Sequence, residues 1–288
     1  AMRQSKGGRF FTMSVLGALY LWSLLPIALI VLSSLKPTSE IFLYPPNLIF
    51  SPTLDNYRSL FAQWPEFTAT LQNSAIIAGG ATVITVISSA LAGYVLSRFR
   101  SSGIDATALF MVAIRLVPPI VITLPLFPIV GMLGLSDTHI LLILLYTTFF
   151  VSLGAMILKT FIDTIPKELD ESAIIDGAGE VSILLRIIFP LAAQGMVAIA
   201  VFIFVFAWND YLFAFIFTTS NAKTAPIIIS EMLGSLVGVE WGPLFAAATV
   251  QLIPVLIFVV LAQKFLVAGL TAGSADDKAA RFVGIRRG

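Results

Sequence analysis

Six long apolar runs separated by polar intervals set the rhythm of this chain. Residues 11–35, 71–96, 106–130, 140–161, 194–217 and 244–267 are each dominated by hydrophobic positions with few charges, and about 20 such residues in a helix cross a hydrocarbon core of about 30 Å. In lipid a lone segment satisfies its backbone polar groups only as a helix. The pattern therefore predicts an all-α membrane protein with six transmembrane helices, and six crossings return the chain to its starting side. The third run carries Pro118, Pro119, Pro125 and Pro128, each lacking an amide donor, so this helix is predicted to be kinked or broken. In the second run Gly79, Gly80, Ser88, Ser89, Ala92 and Gly93 allow a neighbouring helix to approach closely. The five later spans form one bundle in this reading, with the first wrapped outside it. Between the first two runs, 37–70 is polar and Pro-rich, with a short amphipathic helix predicted at 54–61. The interval 131–139 is short, and 218–243 is long enough to reach another protein.

Composition removes the soluble alternative: 58% of residues are hydrophobic and 11% charged, and the mean hydropathy is +0.98. Thirteen of the 17 Lys and Arg residues fall in the tails and loops on the terminal side and three on the opposite side, leaving Arg115 inside a run. Basic residues are retained on the cytoplasmic face during insertion, so both termini are expected in the cytoplasm. The first run is longer than a signal-peptide core and shows no cleavage pattern, which predicts a retained span. Topology accounts for the basic residues, so nothing here points to nucleic acid. The absence of Cys removes disulfides and thiolate metal sites.

Residues 165–190, IPKELDESAIIDGAGEVSILLRIIFP, form a charged island between two runs. Pro166 suits a first helical turn, and Glu168, Asp170 and Glu171 favour a helix N-terminus, predicting a short helix over 166–176. Gly177 then fits a helix-ending position with positive φ. A second short helix from Ser182 leads into Pro190 and the next span. Leu169, Ala173, Leu184 and Ile188 are expected to be available to a groove. Five acidic residues face one basic residue over 165–180, which a basic partner surface would complement; a solvated acidic loop is the plain alternative.

Few polar groups lie within the runs. Asn209, between Trp208 and Asp210, is the leading candidate for contact with a polar solute, or else makes an interhelical hydrogen bond, since polar groups at membrane depth face a cavity or a partner helix. Arg115 lines a pathway, pairs with Asp210 or marks a helix end. Asn73, Tyr146 and Gln251 are secondary candidates with structural alternatives, and His139 reads as interfacial. The chain lacks the G-x-x-x-x-G-K-[ST] phosphate cradle. It shows no metal-ligand spacing and no catalytic dyad in the runs, which argues against an intramembrane enzyme.

In the island, Glu171, Ala173 and Gly177, followed by Ile187, Phe189 and Pro190, give the order E-x-A-x-x-x-G with a distal I-x-F-P. This resembles the EAA loop of bacterial ABC importer permeases, departing from its usual form at Ser172 and Phe189. Leu71-Gln72-Asn73-Ser74, Phe206-Ala207-Trp208-Asn209-Asp210 and Val267-Ala268-Gly269-Leu270-Thr271-Ala272-Gly273 resemble segments of the smaller membrane subunit of maltose-type carbohydrate-uptake permeases. The resemblance implies an ABC type I importer permease fold, with 1–288 as a single transmembrane domain in the bacterial inner membrane. It implies that Glu171, Ala173, Asp176, Gly177, Ile187 and Pro190 in the 165–190 loop couple to an ATPase dimer. A cytoplasmic tail, 268–288, follows the last span, and residues 267–273 reach the ATPase interface. The implied partners are a second homologous permease, an external solute-binding protein, membrane lipid and a carbohydrate: a sugar, oligosaccharide or polyol. The chain itself would be non-catalytic and hold no cofactor or metal, with ATP and Mg on the ATPase. An ion-gradient-driven secondary transporter is the competing reading, supported by Asp210 and the third-run prolines.

Overall fold

A computed structural model describes the backbone of residues 6–47, 49–235 and 238–284, and the side chains of 11–47, 49–235 and 238–263. The described residues are helical and contain no strand. In order the helices are α1 (Lys6–Ser34), α2 (Asp55–Gln63), α3 (Phe67–Arg98), α4 (Ser102–Ala113), α5 (Pro119–Met132), α6 (His139–Asp163), α7 (Glu168–Ile175), α8 (Glu180–Ile183), α9 (Phe189–Leu191), α10 (Ala193–Asn209), α11 (Leu212–Phe217), α12 (Ala225–Leu233) and α13 (Trp241–Gly284). A 3-10 turn (Ile114–Leu116) extends α4, and a π-helical turn (Leu184–Ile188) joins α8 to α9.

Among the described residues four helical stretches are long and apolar enough to cross a bilayer alone: Phe11–Ser34, Phe67–Arg98, His139–Asp163 and Trp241–Gln263. Two bent pairs, Ser102–Leu116 with Pro119–Met132 at 94° and Glu180–Leu191 with Ala193–Asn209 at 73°, raise the number to as many as six where each counts as one span. The first pair is the proline-rich run, broken where Pro118 extends the backbone and Pro119 starts α5. The fifth run departs from the unbroken helix expected over 194–217. It stops at Asn209, because Asp210 adopts an extended conformation with ψ 134°, and restarts as α11. Hydropathy does not register this break, since both sides of it are apolar.

The chain divides into two compact units, one of Ala1–Ala69 with Ile228–Ile253, the other of Thr70–Ile227 with Pro254–Gly288. In the first, α1 presents apolar side chains such as Leu21 and Trp22 outward, as a lipid-facing helix does. The buried Asn56 of α2 donates Nδ2 to the carbonyls of Ser34 at 2.8 Å and Lys36 at 2.7 Å. It thereby satisfies groups that the end of a helix leaves without partners. Its Oδ1 accepts from Thr38 Oγ1 at 3.0 Å, and a Cβ at Gly242 would collide with both Asn56 and Thr38.

In the second unit a core including Ile77, Leu142, Tyr146, Leu158, Ile162, Ile188, Ile203 and Trp208 joins α3, α6, α10 and the island. The small residues of α3 meet α6 closely. Gly93 faces the Leu158 side chain and the Lys159 backbone, Gly80 faces Ile143, and Ser89 fills the space a Cβ on Gly154 would need. Gly79 meets nothing, so only part of the small-residue stripe serves this contact.

Candidate functional site

The island folds as two short helices around a glycine. Gly177 has φ +83°. Its N–H donates to Ile174 O at 3.0 Å while Ala178 N–H donates to Ala173 O at 2.9 Å, the paired bonds that close a helix through a left-handed residue. A Cβ at Gly177 would touch nothing, so glycine is required there by backbone conformation, not by crowding. At the other end Phe189 N–H donates to Leu184 O, an i→i−5 bond within the π turn. Pro190, which has no N–H, follows immediately, and the widened turn accommodates it.

Glu171, Asp176, Gly177 and Pro190 are exposed; Ala173 and Ile187 are half-buried and pack on the core. The apolar residues expected to face a groove are divided. Leu184 and Ile188 are inside, anchoring the island, and the outward apolar surface is instead Ile174, Ile175, Val181 and Leu185, with Leu169 at its edge. Helical period sets this division, because Ile183 and Leu184 lie about one turn before Ile188 on the inward face of α8 and its π turn.

Beneath the island lies a polar hub. Arg98, the last residue of α3, reaches Asp170 Oδ2 through Nε at 2.5 Å. Its other nitrogens donate to the carbonyls of Ile162 at 3.2 Å and Ile165 at 3.0 Å. Ser97 Oγ donates to Asp163 at 2.6 Å, and Lys159 holds the other oxygen of that carboxylate at 2.6 Å. Sequence reasoning counted Arg98 only as a topological charge. Its one local signal is its place at the end of an apolar run.

Among the candidates within the spans, Tyr146, Trp208, Asn209 and Asp210 come together. The buried Tyr146 hydroxyl donates to Asp210 Oδ2 at 2.8 Å, and the same oxygen accepts from Phe213 N at 3.0 Å, capping α11. Trp208 is buried and stacks on Phe204, ring centroids 5.7 Å apart. Asn209 is exposed and donates back to Val205 O at 2.8 Å, beside a depression of about 490 Å³ that Phe206, Asp210 and Tyr211 also line. Arg115 sits apart, in the 3-10 turn at the α4–α5 break. It donates to Phe149 O at 3.3 Å, with its guanidinium 5.4 Å from the ring centroid of Phe149. Arg115 thus stands at a helix end, where it also lines a cavity of about 360 Å³, while the Asp210 carboxylate accepts from Tyr146. Gln251 lies half-buried on α13 in the other unit. Residues 267–273 continue the backbone of α13, but their side chains lie outside the described residues, as does all of 285–288.

At the opposite end of α3, Asn73 donates Nδ2 to the carbonyls of Asn221 at 3.0 Å and Lys223 at 2.9 Å, and its Oδ1 meets His139 Nε2 at 2.7 Å. Asp137, at φ 57°, completes this clasp. Its carboxylate accepts the N–H groups of Thr219, Ser220, Asn221 and Ala222 at 2.8–3.2 Å. Burial alone would raise its pKa, but these four donors outweigh it and lower it from 3.8 to about 2. A depressed carboxylate stabilises the fold fully above its unfolded value, about 3.9, and loses that contribution as pH falls through about 2. The amides of Thr219 to Ala222 are thus expected to keep their hydrogen-exchange protection from neutral pH down to about 4. In Asp137→Asn they should exchange faster across that range; equal protection in the two proteins would refute the clasp.

Residues 84–271 match the family described as "Binding-protein-dependent transport system inner membrane component". The chain belongs to this family. The permease is 37% identical over 235 residues to the trehalose/maltose transport system permease protein MalG of Thermococcus litoralis, covering 81% of this chain and 84% of that one. It is 38% identical over 258 residues to the trehalose transport system permease protein SugB of Mycobacterium tuberculosis, covering 88% and 92%. A crystal structure of a bacterial ABC transporter involved in the import of the acidic polysaccharide alginate contains a chain with the same fold. Its TM-score is 0.75 at 19% identity, over 92% of the permease and 99% of that chain. The family match takes in the island, Arg98 and the break at Asp210, and begins within α3.

Proposed function

We propose that this permease is one of two membrane-spanning subunits of an ATP-driven ABC importer for a carbohydrate. The likeness to permeases named for trehalose and maltose over more than four-fifths of the chain carries this reading. In it the tails and residues 165–190 face the cytoplasm, as the bias of basic residues favours. ATP and Mg are held by a separate ATPase dimer, and a second permease completes the pathway. An external binding protein delivers the solute, in keeping with the family description.

Coupling falls to the island. Ile174, Ile175, Val181 and Leu185 offer an exposed apolar surface beside the exposed carboxylates of Glu171 and Asp176, a combination suited to a groove with an apolar floor and basic walls. ATP binding shifts the transporter only as far as the ATPase grips this protrusion differently in its two states. For the solute, Asn209 offers an amide, and Phe206 and Tyr211 offer aromatic rings, around one depression; hydroxyl-rich rings need both kinds of partner. The ion-gradient reading leaves the island unexplained and runs against the family description as a binding-protein-dependent system, and Asp210 is engaged by Tyr146 and by the N-terminus of α11.

The test is ATP hydrolysis and solute uptake by the complete complex in proteoliposomes, with its binding protein and a panel of sugars and polyols. Stimulation by one carbohydrate class is the expected result. Uptake driven by an ion gradient in this chain alone would overturn the assignment.

A further inference from the structure

We propose that α3 is the strut that carries motion of the coupling helix to the opposite face of the membrane. It is gripped at one end by the Arg98–Asp170 ion pair and at the other by the Asn73 clasp. The inference rests on the importer reading and adds to it residues outside the EAA pattern.

α7 has no buried residue of its own, so its first turn is held to the bundle by polar contact. That contact is well enclosed: the side chains of Arg98 and Asp170 are 7% and 13% exposed. One guanidinium joins three elements, because its planar fork directs separate N–H groups at α7, at the Ile162 carbonyl in the last turn of α6 and at the Ile165 carbonyl just beyond it. Asp170 Oδ1 is buried and has no hydrogen-bond partner among the described residues. A half-satisfied buried carboxylate is a costly way merely to hold a helix down. The pair does, however, give α7 a directional hold on the end of α3.

Asn73 lies 25 residues earlier on the same helix, about 37 Å away at 1.5 Å per residue. It grips two backbone carbonyls of the 218–224 segment and the first residue of α6. α3 carries no proline, so its ladder of hydrogen bonds is unbroken from one grip to the other. A displacement of α7 therefore reaches the outer segment through one continuous helix, the kind of rigid element through which coupling is transmitted.

The experiment measures solute moved per ATP hydrolysed in the reconstituted complex carrying Asp170→Asn, Asp170→Glu or Asn73→Ala. Asp170→Asn keeps the side-chain shape and removes the charge, and the ratio should fall about tenfold, within the range of ordinary coupling free energies. Asp170→Glu restores the charge and should recover most of the ratio, which a simple packing role would not require. Asn73→Ala leaves the ion pair intact and should show the same fall from the other end; it decides the matter if Asp170→Asn fails to fold. An unchanged ratio in either Asp170→Asn or Asn73→Ala, or loss of the ATPase from the purified Asp170→Asn complex, overturns the strut. A wild-type complex that moves no solute with ATP overturns the importer reading instead.

Discussion

Gly177→Asp is expected to reduce ATP-driven uptake about tenfold while the permease still inserts in the membrane. A side chain at φ +83° costs about 1–2 kcal/mol, and each 1.4 kcal/mol changes a population about tenfold. No neighbouring atom would be struck, so the penalty falls on the turn itself, and α7 should leave its left-handed closure. The exposed face formed by Ile174, Ile175 and Val181 would then lose its shape, because those residues flank the turn. Gly177→Asn supplies the control, since Asn tolerates the left-handed region better than other residues, and uptake should fall less. Equal uptake in Gly177→Asp and wild type would remove Gly177 from the coupling machinery.

Asp210→Ala should destabilise the permease by about 2–4 kcal/mol, the sum of a lost helix cap and a buried hydroxyl left without its acceptor. Both losses follow from one oxygen, which accepts from Tyr146 and from Phe213. Tyr146→Phe removes only the first bond and leaves the cap, so about 1 kcal/mol is expected. Asp210→Asn retains an acceptor oxygen and should fall between the two. Thermal unfolding in detergent ranks the three variants. If Asp210→Ala proved no less stable than Tyr146→Phe, the cap would be energetically idle, and the break at Asp210 would need another cause.

The legible parts of the sequence were those with local causes. Apolar runs gave the spans because the bilayer imposes a length, and Pro118 and Pro119 gave the break in the third run because a missing N–H acts within one turn. Gly177 was legible as a left-handed closure for the same reason. The break at Asp210 was not, since both sides of it are apolar and the hydroxyl that engages Asp210 lies 64 positions earlier in the chain. Asn73 was visible as a polar residue near the end of a span, but its partners are backbone carbonyls 148 and 150 positions away, and carbonyls leave no mark on residue identity. Arg98 was hidden by its own explanation: a positive charge at a span end already satisfied the topology rule, so nothing in the sequence asked for a second role. Leu184 and Ile188 were assigned to the outside because a short segment cannot reveal which face of a helix meets the core.

The Asp137 clasp recognises four consecutive amides of the 219–222 segment and two of its side chains, the Ser220 hydroxyl and the Asn221 amide, which donates Nδ2 to the Asp137 carbonyl at 3.3 Å. The four amide bonds are themselves indifferent to residue type and exclude proline, which lacks the N–H that the carboxylate accepts. The exposed Thr219, Ser220 and Asn221 can therefore change without loss of the amide bonds, at the cost of one side-chain bond each at Ser220 and Asn221. A permease built this way can exchange much of the surface this segment presents, by drift or by design, while the backbone frame beneath stays fixed.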